Sequence, residues 1–251
     1  MKVYHFDFFC SALVVECHAA GTEMGLLDLV GDLEVPFLQL DKPVARLVLK
    51  QGETITATKD HEFFLESEIE PFGAYVFSKD TLGWSMHQEG AFTGCFEFGS
   101  KTCELVFDPD CSQEKIGVAS AFAIDHALGV GGQAMIHAAS LDVEDGWGRI
   151  AIHAKSGTGK TTLALALAKA GYRICSDDAS VITSEGNQET NIWGLPRNPK
   201  IFPETITMIN AIDPMILNYK SNHRGKLVLS RAKMRNAGLL ARSYPEYQRR
   251  E

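Results

Sequence analysis

The sequence predicts an α/β protein in which a β-rich N-terminal region of unassigned role, residues 1–110, precedes a domain built around a glycine-rich loop, residues 111–251. Three observations favour this division. Short apolar runs separated by turn residues fill the first half, helical spacing of apolar residues becomes prominent only after Pro109, and a glycine-rich loop follows an apolar run at 149–153. With 45% hydrophobic and 22% charged residues, the 251-residue chain has a globular composition that excludes a disordered or fibrous protein.

The first region is predicted to be mostly strand. Residues 44–50 and 72–77 are short, largely apolar runs, and residues 92–98 and 102–107 flank a Gly-Ser-Lys turn at 99–101 that predicts a hairpin. Residues 26–33 predict a helical turn or two.

The pattern changes after Pro109. Ser112 is placed to cap a helix that the glycines at 129–132 end. Residues 134–141 and 149–153 predict two strands joined by a turn at residues 145–146. A helix over 161–170 and a strand over 172–176 follow, and Gly171 separates them.

Residues 154–161 read AKSGTGKT, which is the P-loop pattern GxxxxGK[ST] with Ala154 in place of the first glycine. The glycines let successive backbone N–H groups turn inward, and the helix that follows adds its positive N-terminal end. Lys160 can reach terminal phosphates, and the Thr161 hydroxyl can bind Mg²⁺ beside them. The predicted nucleotide-binding residues are Ser156, Gly157, Thr158, Gly159, Lys160, Thr161 and Thr162.

Asp177 and Asp178 directly follow the strand predicted over 172–176. A helix of about ten residues leads roughly 15 Å away from the loop, and a five-residue strand returns roughly 16 Å. A right-handed crossover therefore brings both carboxylates back beside the loop. One can hold Mg²⁺ while the other accepts a proton from an attacking hydroxyl. The alternative is one metal ligand and one loop cap.

Residues 156–182 resemble the HPr kinase/phosphorylase family, whose core runs Ser-Gly-x-Gly-Lys-Ser, a short helix, a glycine, and a strand ending in Asp-Asp-Ala. His137 also looks like the histidine that this family places one hairpin before its P-loop, although an ordinary strand histidine is the alternative. The matching residues, in one register without a gap, are Ser156, Gly157, Gly159, Lys160, Thr161, Gly171, Arg173, Asp177, Asp178 and Ala179.

The resemblance implies a P-loop core of the phosphoenolpyruvate-carboxykinase/HPr-kinase type that transfers phosphate from ATP, with Mg²⁺, to a serine of a peptide or protein. It implies that Asp177 is the general base, that Asp178 serves the metal, and that His137 lies near the catalytic aspartate. The family's later motif, Glu-x-Arg-Gly-Leu-Gly, is matched only in part by residues 191–196, where Asn191 stands for the Glu and Trp193 for the Arg. The chain therefore looks more like the HPr-kinase-related proteins of ribosomal-peptide pathways, including lasso-peptide kinases, than like an enzyme acting on HPr.

Two other functions fit the motifs: a small-molecule P-loop kinase, and a non-catalytic ATP-binding regulatory protein. Small-molecule kinases usually begin with the P-loop and use Asp-x-Asp. The retained Lys160, Thr161 and both aspartates argue against a loss of chemistry.

Charge predicts the partners. The formal charge of −8 disfavours nucleic acid. From residue 193 onward, 11 basic and 4 acidic residues give +7, whereas the rest of the chain carries −15. This last quarter predicts either a surface for an anion or an acidic partner, or a solvated helical face. Arg197 and Lys200 could contact a phosphate or an acidic peptide there, or be solvated loop cations.

The remaining expectations concern compartment and assembly. No apolar run reaches the roughly 20 residues of a membrane helix, so no membrane partner is expected. The short apolar run at 8–15, with acidic residues at both ends, favours a strand over a secretion signal. The six cysteines form no CxxC pair, which makes a zinc site or disulfide scaffold unexpected. We expect a cytoplasmic protein that can form a homo-oligomer.

Overall fold

A computed structural model describes this chain from residue 1 to residue 241, except for residues 9, 37, 39–40, 55–61, 70–72, 80–82, 98, 144–147, 156, 186–188, 209–216 and 222–224. The chain divides into two units, Met1–Gln133 and Ala134–Glu251. The sequence places the boundary near residue 110, earlier than this division. The long helix that follows residue 110 packs on the strands of the first unit, which is why the division falls after it.

In its described part, the first unit is one mixed sheet with two helices. In chain order its elements are β1 (Lys2–Asp7), β2 (Ala12–Cys17), α1 (Met24–Val30), a 3-10 turn (Gly31–Leu33), β3 (Val44–Gln51), β4 (Glu62–Ile69), β5 (Gly73–Lys79), β6 (Gly83–Gln88), β7 (Phe92–Glu97), β8 (Thr102–Phe107) and α2 (Gln113–Val130). The strand order is β1-β2-β3-β8-β7-β6-β5-β4. β3 runs parallel to both β2 and β8, and the other neighbours are antiparallel.

Several expectations for this unit are confirmed. β3 covers the predicted strand at 44–50, β5 covers most of the predicted strand at 72–77, and β7 and β8 form the predicted hairpin. The helical turns predicted at 26–33 are α1 and the 3-10 turn. Ser112 caps α2 by accepting a hydrogen bond from the backbone N–H of Lys115, and Gly131 ends the helix.

The core of the first unit follows from strand alternation. In β8, Cys103, Leu105 and Phe107 are buried while the residues between them are partly exposed. α2 packs on the sheet and on α1. The two helices approach closely because Gly25 has no side chain: a Cβ atom there would lie 2.7 Å from the backbone nitrogen of Gly117.

The described part of the second unit contains small antiparallel sheets and short helices. Its elements are β9 (Gln133–Ile136), β10 (Ala138–Val143), β11 (Gly148–His153), α3 (Lys160–Lys169), β12 (Arg173–Ser176), β13 (Ser180–Glu185), β14 (Glu189–Gly194), β15 (Lys200–Ile201), α4 (Pro203–Met208), β16 (Leu217–Ser221), β17 (Leu227–Leu229) and α5 (Arg231–Asn236). The strand orders are β11-β10-β12, β14-β13-β9 and β15-β17-β16.

The prediction of one strand over 134–141 is wrong, because this run is divided at His137. β9 joins the sheet of β13 and β14, whereas β10 pairs with β11 and β12. The Ser180 hydroxyl donates to the carbonyl of Ala138 at 3.0 Å and lies 2.8 Å from the Ser140 hydroxyl, which can donate to it, and these contacts hold the start of β10. The predicted turn at 145–146 lies outside the described residues.

The strand–helix–strand segment around the glycine-rich loop forms as predicted, as β11, α3 and β12. β11 and β12 are each antiparallel to β10, so they run parallel to one another with β10 between them. α3 packs against all three strands through Ala164, Leu165 and Ala168. Among the helices of the described part, none is long and apolar enough to cross a bilayer.

Candidate functional site

The loop between β11 and α3 has a backbone that requires glycine. Gly157 and Gly159 have φ values of 81° and 99°, in the left-handed region that other residues rarely adopt. Gly159 is the N-cap of α3, and its carbonyl accepts the backbone N–H of Leu163 at 2.9 Å. The Thr158 hydroxyl donates to the carbonyl of Lys155 at 2.6 Å, which closes the loop on itself.

Lys160, the first residue of α3, turns its side chain back under this loop. It is only 7% exposed, although a lysine is seldom buried without partners. Its ammonium group donates to the carbonyl of Ala154 at 2.7 Å and to the Nε2 atom of His137 at 3.0 Å, and the carbonyl of Lys155 lies 3.4 Å away. These contacts hold a positive charge beneath the loop.

His137 links Lys160 to Asp178. An ammonium group has no acceptor, so the Nε2 atom of His137 must accept and its Nδ1 atom carries the proton. Nδ1 lies 3.2 Å from the Oδ1 atom of Asp178. The position of His137 between β9 and β10 makes this bridge possible.

Asp178 joins the bridge to a second cation. Its side chain is 40% exposed, and its Oδ2 atom lies 3.5 Å from the Nη1 atom of Arg197. The Ser176 hydroxyl accepts the backbone N–H groups of Asp178 and Ala179 at 3.5 and 3.2 Å, which fixes the turn after β12. A continuous series of contacts therefore runs from Lys160 through His137 and Asp178 to Arg197.

Asp177 differs from its neighbour in burial. It is 5% exposed, and its Oδ2 atom accepts the backbone N–H of Lys200 at 3.3 Å. Burial raises the pKa of this carboxyl, and the adjacent charge of Asp178 raises it further, whereas Arg197 and the Lys200 amide oppose the rise. A buried carboxylate that binds a proton more readily than usual is suited to accept one from a substrate.

The structure brings together His137, Lys160, Asp178 and Arg197, and the Lys200 backbone meets Asp177. The Thr162 hydroxyl lies 3.4 Å from that of Thr205, and Thr161 is half-buried at the start of α3. Ser156 lies outside the described residues. For Lys200, the contact with Asp177 is made by the backbone amide and not by the ammonium group.

Three supporting residues were not anticipated from the sequence. Ser176 holds the turn that carries both aspartates, and a hydroxyl residue directly before Asp-Asp is a signal for it. Asn198 accepts the backbone N–H of Arg231 at 3.2 Å, and the Arg231 guanidinium approaches the carbonyl of Arg197 at 3.5 Å. These last two contacts join positions more than thirty apart in the chain, so no local pattern could reveal them.

Asn191 and Trp193, which stand where the HPr kinase/phosphorylase family has a Glu and an Arg, lie on β14. Asn191 is exposed there, whereas Trp193 is 4% exposed. Gly194 next to it has no room for a side chain, because a Cβ atom would lie 2.3 Å from the carbonyl oxygen of Cys175. The strand thus packs tightly against β12 at Gly194.

The described residues contain no group of three or more His, Cys, Asp or Glu side chains that could hold a metal by themselves. Comparison of the chain with protein-family models, with curated proteins and with solved structures finds no match.

Proposed function

We propose that this chain is a kinase that transfers the terminal phosphoryl group of MgATP to a serine hydroxyl of a peptide or protein, with a core of the phosphoenolpyruvate-carboxykinase/HPr-kinase type. One observation carries the proposal: the lysine of the P-loop is joined through His137 to Asp178, the second of two adjacent aspartates that follow β12. Phosphoryl transfer needs a cation at the phosphates and a carboxylate at the acceptor, and this arrangement supplies both.

The nucleotide would bind at the loop. Its phosphates would accept from the loop amides and from Lys160, whose ammonium group would exchange its contact with His137 for a phosphate oxygen. Mg²⁺, arriving with the nucleotide, prefers oxygen ligands and keeps several from phosphate and water. Thr161 and Asp178 offer the protein oxygens, and the ion would neutralise charge on the phosphates.

Asp177 would act on the acceptor. The serine oxygen attacks the γ-phosphorus, the bond from that phosphorus to the bridging oxygen breaks, ADP leaves, and the serine proton passes to the Asp177 carboxylate. The raised pKa of Asp177 favours the proton transfer. Arg197 beside Asp178 is placed to counter negative charge at the same edge.

The decisive experiment combines purified protein, Mg²⁺, γ-labelled ATP and a library of serine-containing peptides, with Asp177→Asn run in parallel. We expect label on serine in the native protein and its loss in Asp177→Asn. Because an asparagine oxygen can still accept the Lys200 amide, this variant keeps the fold and removes the base.

Other outcomes would favour the competing functions. Label on a small hydroxy acid but on no peptide would indicate a small-molecule kinase. Equal ATP binding by both proteins, with no transfer to any acceptor, would overturn the proposal and favour a regulatory ATP-binding protein. ATP hydrolysis alone does not distinguish a kinase from a regulatory ATP-binding protein, so the labelled acceptor must be measured directly.

A further inference from the structure

β15 and β17, in the small sheet that they form with β16, pack one face on the core. Ile201 pairs with Leu227, and Ile201 and Leu229 are buried in the core cluster while Leu227 packs against it. Side chains alternate along a strand, so Lys200 lies on the opposite face, and Phe202 follows directly after the end of β15.

Lys226 belongs to the same outer face. In the antiparallel register, Lys200 pairs with Val228 and Ile201 pairs with Leu227. Continuing this register by one residue brings Phe202 opposite Lys226. The contact confirms this, since the Lys226 ammonium lies 4.8 Å from the centre of the Phe202 ring. Phe202 is 42% exposed, which is unusual for a large aromatic residue. The face therefore carries two half-buried lysines, one of them stacked on an accessible ring.

The chain segment that carries Lys200 also contacts the candidate site. The backbone N–H of Lys200 holds Asp177, and the side chain of Arg197, three residues earlier, contacts Asp178. Contacts from Asn198 and Arg231 anchor the intervening loop. A ligand lying on the outer face would thus end next to both aspartates.

The charge of this part of the chain is opposite to that of the rest. Residues 193–241 include eight basic and two acidic residues, whereas residues 1–192 carry a net charge of −15. A positive surface on a negative protein attracts acidic partners and directs them to one place.

We propose that Arg197, Lys200, Phe202 and Lys226, here called the basic face, dock an acceptor peptide that carries acidic residues close to its serine. The proposal rests on the function proposed above and specifies its substrate class. The Cα atoms of Lys200 and Lys226 are one strand apart and offset by two residues, which separates them by about 8 Å. In an extended peptide, two to four residues cover that distance, so an acidic residue at that spacing from the serine would reach Lys226. Phe202 would pack against an apolar residue of the same peptide.

The test uses three peptides that differ only at the position three residues from the serine, which is Glu, Gln or Lys. We expect kcat/KM for the Glu peptide to exceed that for the Gln peptide by about tenfold at low salt, and the ratio to shrink at high ionic strength. Lys226→Glu should abolish this preference and favour the Lys peptide. Lys169→Glu, an exposed change of equal charge in the last turn of α3, should preserve it.

Binding of the same peptides is measured separately, by fluorescence anisotropy without ATP, and a melting curve establishes that each variant is folded. Tighter binding of the Glu peptide that Lys226→Glu removes would support the basic face even if no peptide were phosphorylated, in which case only the kinase function would fail. Equal kcat/KM for all three peptides, or unchanged affinity in Lys226→Glu, would overturn the basic face while leaving the kinase function standing. Stronger competition by single-stranded nucleic acid than by the Glu peptide would also overturn it.

Discussion

Each unit of this protein buries a carboxylate, and the two are treated in opposite ways. Glu23 in the first unit is 4% exposed and Asp177 in the second is 5% exposed. Removing a carboxylate from water disfavours its charged form in both places. The surroundings then decide whether the cost is offset, and this distinguishes a carboxylate whose pKa is lowered in spite of burial from one whose pKa stays raised.

The surroundings of Glu23 offset its burial. Burial by itself raises the pKa of this carboxyl, but hydrogen bonds from backbone amides, Lys2 and Cys17 together bring it below its usual value. The Lys2 ammonium lies 3.2 Å from Oε1, the Tyr4 hydroxyl 3.4 Å from the same oxygen, and the Cys17 thiol 3.4 Å from Oε2. Glu23 is thus a satisfied anion at the start of α1.

The surroundings of Asp177 leave much of its burial uncompensated. The backbone amide of Lys200 reaches it at 3.3 Å, its own amide and Arg197 also favour the charged form, and the adjacent Asp178 carboxylate opposes it. The pKa of Asp177 is raised as a result, mainly by burial. Proteins keep such strained charges mostly where a reaction needs them.

The largest expected effect is on catalysis. Asp177→Asn should lower the rate of phosphoryl transfer to a serine peptide by about 1,000-fold, because the proposed general base is lost. Glu23→Gln, the matched change at the other buried carboxylate, should leave the rate within about twofold. Single-turnover rates at saturating MgATP measure both. Similar losses in the two variants would mean that the contrast in pKa has no bearing on transfer.

A second effect tests whether the contact series positions the site. His137→Leu removes both of its contacts, and we expect kcat to fall by about 100-fold because Asp178 loses its orientation. ADP affinity should not weaken, because the N–H that Lys160 donated to His137 becomes available to a phosphate oxygen. His137→Gln, which can both donate and accept, should recover part of the rate. His153→Leu, whose side chain touches only the carbonyl of His137 within this series, is the control.

A purely structural role for His137 predicts something else. In that case ADP affinity and kcat would fall together in His137→Leu, and His137→Gln would show no recovery.

The sequence predicts the loop and its flanking elements well because their signals are local. Gly157 and Gly159 adopt the positive φ that only glycine adopts easily, Ser112 caps its helix, and the lengths of α3 and β12 bring the aspartates back to the loop. Each of these features depends on residues within a few positions of one another, or on element length alone.

Other features depend on partners far along the chain. The division of the apolar run at His137 follows from pairing β9 with β13 and β10 with β12, and neither glycine nor proline marks it. The parallel pairing of β3 with β2 and with β8 also joins distant segments, and nothing in the sequence predicts which strands lie side by side. The amide that Lys200 offers to Asp177 is a backbone contact, so residue type carries no trace of it.

A third effect concerns stability in the first unit. Glu23→Gln should lower the free energy of unfolding at pH 7 by about 2 kcal/mol, since it leaves Lys2 and Cys17 with a weaker, uncharged partner. The pKa of Glu23 is lowered on folding, so its contribution is present above the unfolded value and is lost as pH falls through the folded one. Urea unfolding at pH 7 and at pH 3 should show the penalty at the first pH and little of it at the second.

The smallest effect has the opposite sign. Asp177→Asn should raise the free energy of unfolding at pH 7 by about 1 kcal/mol, because it removes an incompletely compensated buried charge and keeps an acceptor for the Lys200 amide. The pKa of Asp177 is raised on folding, so the native protein is penalised as pH rises above the unfolded value near 3.8. The gain in the variant should therefore appear as pH rises from about 4 and vanish at pH 3. The same urea series measures it, and a loss of stability at pH 7 would show that the Asp177 carboxylate stabilises the fold as Glu23 does.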